Sequence, residues 1–112
     1  IHPSLLPRYP GLDTHARALA AGDDEHGASV HAVIPELDAG PLLAQVRVPV
    51  LAGDDAASLA RRLLPREHAL LVATARLFAQ RRVQLHADHA LLDGRRLLAP
   101  LQLDAANHLT GA

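Results

Sequence analysis

The sequence contains no cysteine, no methionine and no tryptophan, and only one tyrosine and one phenylalanine among its 112 residues. Without cysteine there is no disulfide framework, no thiol chemistry and no paired Cys-x-x-Cys metal site, which suits a reducing compartment and a cytoplasmic location. With so few large rings, a core must be assembled from Leu, Val and Ala. No apolar run approaches the roughly 20 residues of a membrane span, and no basic and apolar signal segment opens the chain. Charge of one sign is also missing. Lys+Arg 11 against Asp+Glu 12 gives a formal net charge of -1, so nothing attracts a polyanion over distance, and no nucleic-acid partner is expected. What is present is 49% hydrophobic residues, enough to exclude compositional disorder. The chain opens at Ile1, as expected of a processed chain or of a segment of a longer polypeptide.

The most informative stretch is His26 to Val50, HGASVHAVIPELDAGPLLAQVRVPV. Ala28, Val30 and Ala32 alternate with Ser29, His31 and Val33, and Leu42, Ala44, Val46 and Val48 alternate with Leu43, Gln45 and Arg47. That period of two predicts two strands. Between them Pro35, Glu36, Asp38, Gly40 and Pro41 form an elbow that displays two acids on a backbone unable to continue a ladder.

Before this pair, IHPSLLPRYPGLDTH has Pro3, Pro7 and Pro10 too close together for a helix. Leu5, Leu6 and Tyr9 would each cost about 1.5–3 kcal/mol to leave in water, so the loop is expected to lie on a core. Asp13 or Thr14 is placed to cap a short helix through Ala21, ended by Gly22. Beyond Val50, Asp54, Asp55 and Ser58 start a helix whose inner face is Leu59, Leu63, Leu70, Thr74, Leu77 and Phe78. Pro65 either kinks it or separates two helices. Val83 to His86 predicts a strand and Ala90 to Leu98 a hairpin turning at Asp93-Gly94. The segment after Pro100 is expected on the surface, fraying. The order is that of an α/β layer arrangement with too few strands for the helix it carries, so further strands are expected before Ile1.

Eight histidines raise metal binding. Neither His26 and His31 nor His86 and His89 has the spacing of a zinc hydrolase, and no metal is expected. His2 is different. It precedes Pro3, which biases its backbone to an extended conformation, and it can donate a proton near neutral pH. If its strand and the His26 strand share a sheet with their carboxyl ends on one rim, His2 and Asp38 meet as an acid and base pair.

IHPSLLPRYPG, then HGASVHAVIPELDAGP and LLAQVRVPV, supported by PREHALL and ALLDGRRLLAP, resemble phosphoribosylglycinamide formyltransferase, the glycinamide ribonucleotide transformylase of purine biosynthesis. The resemblance runs in order through roughly the first hundred residues and matches the carboxyl-terminal half of a family member. It implies an open, Rossmann-like α/β sheet domain with a small terminal hairpin, of which residues 1–112 are the carboxyl-terminal part. It implies an enzyme that moves a formyl group from 10-formyltetrahydrofolate to the amine of glycinamide ribonucleotide, as a monomer or weak homodimer.

Carried over residue by residue, His2 matches the general acid of the family's Asn-x-His-Pro-Ser sequence, whose asparagine would stand immediately before Ile1. Asp38 matches the acid that favours the charged histidine and manages a proton through water. Ile34, Pro35, Glu36, Leu37 and Asp38 match the segment that holds the folate pterin ring, and Leu64, Pro65, Arg66 and Glu67 the segment contacting the phosphoribosyl substrate, with Glu67 suited to the ribose hydroxyls. His31 is either a polar neighbour of the folate loop or structural. Asp13 stands where many relatives have histidine, and Leu64 and Pro65 where they are often polar. A chain limited to these residues is expected to be inactive. The alternatives are another 10-formyltetrahydrofolate-using transferase, a deformylase, or a folate-binding fragment without transfer.

Overall fold

The computed structural model describes residues 1–33 and 39–111. The expected strand pair is present as β1 (Glu25–His31) and β2 (Leu42–Pro49). They pair antiparallel, with Ala28 opposite Val46 and Ser29 opposite Gln45. The stretch between them includes residues 34–38, so the predicted folate loop lies outside the described residues. Its base is closed by the Ala32 N–H, which donates to the Pro41 carbonyl at 2.9 Å. Gly40 is required there, because a Cβ would lie 1.7 Å from the Ala32 carbonyl oxygen.

Both faces of this pair are covered, which simple alternation does not reveal. Ala28, Val30, Ala44, Val46 and Val48 join one core with Leu59, Leu63 and Leu70 of α2 (Ala56–Ala79). The intervening Ser29 and Gln45 are also buried, beneath the loop that carries Leu5 and Leu6. That loop packs as expected, with Leu5 and Leu6 buried. Leu5 sits over Gly27, where a Cβ would approach its Cδ2 to 2.7 Å.

The α2 helix begins with a reciprocal cap: the Asp55 carboxylate accepts from the Ser58 N–H at 2.8 Å, and the Ser58 hydroxyl accepts from the Asp55 N–H at 3.0 Å. Asp54 is gripped by the Arg62 guanidinium at 2.6 and 3.0 Å, which holds its carboxyl well below the usual range. Pro65 does not divide the helix. It and Arg61, whose carbonyl loses its usual donor, both lie on the exposed side, where water compensates. Phe78, expected on the inner face, is 41% exposed near the end of the helix. The short α1 (Thr14–Ala20) follows Asp13, whose left-handed backbone (φ 57°) leaves its side chain without a capping bond.

The carboxyl-terminal segment differs most from expectation. Rather than fraying, β6 (Leu101–Leu103) pairs parallel with β2, placing Gln102 beside Gln45, and β7 (Leu109–Thr110) pairs antiparallel with β6. The sheet order is β1-β2-β6-β7. Leu101 and Leu103 are buried, and this apolar burial outweighs the cost of ordering a short tail. Three alternating residues are too few to announce a strand. Arg66 ties the β6–β7 turn to α2, donating to the Asp104 carbonyl at 2.7 Å and to Asn107 Oδ1 at 2.5 Å.

A second, small sheet contains β3 (Val83–Leu85), β4 (Ala90–Leu92) and β5 (Arg95–Arg96). Asp93 and Gly94 both have positive φ, as the predicted two-residue turn requires. His86 falls just beyond β3 and donates its N–H to the His89 carbonyl at 2.9 Å. Among the described residues, no helix is long and apolar enough to cross a membrane.

Ser29 supports two chain segments at once, so Ser29→Ala should lower unfolding stability by about 2–3 kcal/mol through unsatisfied buried groups. Urea denaturation checks this; a loss below about 0.5 kcal/mol would contradict it.

Candidate active site

His2 enters the site on a single bridge. Its N–H donates to the Ser29 carbonyl at 2.8 Å, and its carbonyl accepts from the Ser29 N–H at 2.8 Å. Its segment therefore does lie beside β1, but the bridge is antiparallel, so the carboxyl ends do not share one rim as expected. Asp38 lies outside the described residues.

The chain then folds back, because Pro3 and Pro7 prevent a continued ladder. Three side chains fasten the return. Ser29 Oγ donates to the Ser4 carbonyl at 2.7 Å and accepts from the Leu6 N–H at 3.1 Å. Gln45 Nε2 donates to the Leu6 carbonyl at 2.9 Å, and Ser4 Oγ donates to the Arg8 carbonyl at 2.5 Å. Gln102 Nε2 supports Gln45 from β6 at 3.3 Å.

The return brings the Tyr9 carbonyl to 2.9 Å from His2 Nε2, while the His2 residue itself is buried. A carbonyl only accepts, so Nε2 is the N–H in this contact. An imidazole pair lies nearby: His15 Nδ1 is 2.9 Å from His26 Nε2, with the rings edge to face. His26 is buried at the start of β1. Burial, reinforced by His15, lowers its pKa from 6.5 to about 4, against a smaller opposing effect of Asp23. It is therefore a neutral partner at neutral pH.

The remaining expected residues are spread out. Leu64 and Glu67 are three apart on α2 and share one side of it, whereas Arg66 is turned to the β6–β7 turn. His31 has Nδ1 2.9 Å from the Ala32 carbonyl oxygen, at the mouth of the elbow. His86 and His89 stack at 4.5 Å, and His89 is paired to Asp88 at 2.6 Å. Among the described residues, no group of three or more His, Asp or Glu is placed to hold a metal ion. A cleft of about 210 Å³ runs beside Pro41 and Leu42 to Ala90, Leu97 and Pro100, next to the return of the elbow.

The formyl transferase family model matches residues 1–75. The chain belongs to the formyl transferase family. It is 52% identical over 97 residues to the phosphoribosylglycinamide formyltransferase of Escherichia coli strain K12, covering 87% of this chain and 46% of that protein. The solved structure of phosphoribosylglycinamide formyltransferase from Coxiella burnetii superposes with a TM-score of 0.80 at 47% identity, covering 86% of this chain and 45% of the other. A formyltetrahydrofolate deformylase from Pseudomonas syringae gives 0.75 at 31% identity over 81% of this chain and 30% of its own. The chain thus spans about half the length of the formyltransferases it matches. As in that family, its α/β sheet is open and mixed in direction.

Sequence reasoning did not find the Tyr9 carbonyl, because a main-chain acceptor has no residue signature. Nor did it find the His15–His26 pair, which joins α1 to the start of β1 through a contact that no local pattern announces.

Because His26 is neutral when folded and titrates near 6.5 when unfolded, the unfolded chain binds more protons between about pH 6.5 and 4. This contribution is fully present above pH 6.5 and is lost as pH falls, by on the order of 2–3 kcal/mol. Urea midpoints from pH 7 to 4.5 should fall more steeply for the parent than for His26→Gln; parallel slopes would contradict this.

Proposed function

We propose that the protein carrying this chain transfers a formyl group from 10-formyltetrahydrofolate to the amine of glycinamide ribonucleotide, and that residues 1–112 are the carboxyl-terminal part of its single formyltransferase domain. The observation that carries the reading is His2 in the HPS sequence, buried and fastened to β1 on one side and to the Tyr9 carbonyl on the other, in a chain 52% identical to a phosphoribosylglycinamide formyltransferase.

In the proposed reaction the neutral substrate amine attacks the formyl carbon, and the carbonyl electrons form a tetrahedral oxyanion. Protonated His2 stabilises that charge as a hydrogen-bond donor. Collapse breaks the bond to folate N10, which gains a proton as the former amine loses one, and Asp38 manages this exchange through water. Residues Ile34 to Asp38 hold the pterin, and the cleft beside Pro41 and Leu42, which Asp88, His89 and Arg96 also line, offers it polar and apolar contacts. Glu67, with Leu64 on the same side of α2, faces the ribose; Arg66 supports the reading less, since both its terminal nitrogens already serve the β6–β7 turn. No metal takes part. The protein acts as a monomer or weak homodimer in the cytoplasm, a reducing compartment that a chain without cysteine suits.

The likeness to a deformylase favours a second reading in which water replaces the amine. Supplying the full-length protein with both substrates separates the two. The proposal predicts formylglycinamide ribonucleotide in step with tetrahydrofolate; free formate whether or not the amine is present would favour the hydrolase. His2→Ala should lower kcat by about 10²–10⁴-fold and Asp38→Asn by about 10²-fold with the fold retained. Unchanged transfer kinetics in both variants would remove their assigned roles.

A further inference from the structure

Tyr9 joins the site through its main chain, yet its side chain is anchored away from His2. Its backbone is left-handed, with φ 51°, a conformation that a Cβ disfavours in a non-glycine residue. Nothing in the tyrosine itself favours that shape, so the neighbouring contacts must hold it. The Tyr9 hydroxyl donates to Asp23 Oδ2 at 2.5 Å. The Arg17 guanidinium carbon lies 5.2 Å from the centre of the Tyr9 ring. The same guanidinium donates to the Pro10 carbonyl at 2.6 Å and to the Leu12 carbonyl at 3.3 Å. Asp23 is itself fixed, its N–H donating to the Ala18 carbonyl at 3.2 Å where α1 turns towards β1. Arg8 adds a distant ion pair to the same carboxylate at 3.9 Å.

We infer that Tyr9 and Asp23 are positioning residues for His2: the hydroxyl–carboxylate bond holds the left-handed Tyr9 so that its carbonyl receives Nε2–H and fixes the direction of the imidazole. Arg17 buttresses the same turn from the far side of the ring. The brace joins the loop that starts at His2 to the α1–β1 connection, and it reaches the imidazole through the Tyr9 main chain. Removing the side-chain bond therefore leaves every atom of the His2 contact in the chain and changes only its placement. A misplacement of about 1 Å at a reacting group can lower a rate by about 10²-fold.

This inference rests on His2 being the acid of the proposed transfer. The test uses the full-length protein with Tyr9→Phe, Asp23→Ala, Asp23→Asn and His2→Ala, followed by steady-state transfer kinetics and by imidazole ¹⁵N–¹H spectra. Tyr9→Phe and Asp23→Ala should each lower kcat by about 10-fold or more with both KM values within about twofold of the parent. Asp23→Asn, which keeps an acceptor for the hydroxyl, should recover most of that loss. Tyr9→Phe combined with Asp23→Ala should fall no further than the worse single variant, because both remove one bond. The His2 Nε2–H signal should shift or broaden in Tyr9→Phe and return to its parental position in Asp23→Asn.

A Tyr9→Phe protein with parental kcat and an unmoved His2 signal overturns the inference, and it does so even if Asp23→Ala fails to fold. Retained transfer in His2→Ala instead overturns the assignment of the acid. In that event the imidazole signal alone decides whether Tyr9 and Asp23 hold the ring, with an unmoved signal counting against them.

Discussion

Ser29 and Gln45 face each other across β1 and β2, and together they bind the main chain of the segment that begins at His2. Ser29 Oγ takes the Leu6 N–H and gives its own proton to the Ser4 carbonyl, while Gln45 donates to both Ser29 Oγ and the Leu6 carbonyl. A proline-rich loop has few ways to satisfy its own backbone, so buried side chains must do it. The apolar face of the same strands is filled by α2, which leaves the polar face as the platform for the loop. Both jobs require small or polar residues in strict alternation. Gly27 fits among them because Leu5 occupies the space above it.

The site is a consequence of that platform. Fastening residues 4–6 fixes where the chain turns back, and the turn carries the Tyr9 carbonyl to His2. The hydroxyl of Tyr9 and the carboxylate of Asp23 extend the fastening to α1, while His26, buried and neutral, fills the start of β1 against His15. Gln102 continues the polar row onto β6, so the carboxyl-terminal strand also contributes to how firmly the His2 loop is held. Chemistry near Ile1 and packing near Leu103 are thereby parts of one arrangement.

Local pattern and residue type made the local elements legible: the β1–β2 pair, the helix start among Asp54, Asp55 and Ser58, and the positive-φ turn at Asp93-Gly94. The HPS sequence and its neighbours singled out His2 as a candidate. The antiparallel sense of the His2 bridge was not legible, because strand direction depends on where distant segments meet. Leu101–Leu103 escaped notice because its burial comes from β2 and not from its own short pattern. Pro65 left a kink and a break both open because sequence does not reveal which side of a helix meets water. The Tyr9 carbonyl had no signature, since a backbone acceptor belongs to every residue.

Amide hydrogen exchange at Leu6 tests this account most directly. Its N–H is buried against Ser29 Oγ, so the account predicts that it exchanges only with opening of β1 and β2, at rates matching the Val46 and Ala28 amides. Exchange at Leu6 as fast as at an exposed loop, with β1 and β2 still protected, would show that the His2 segment is not held by the sheet.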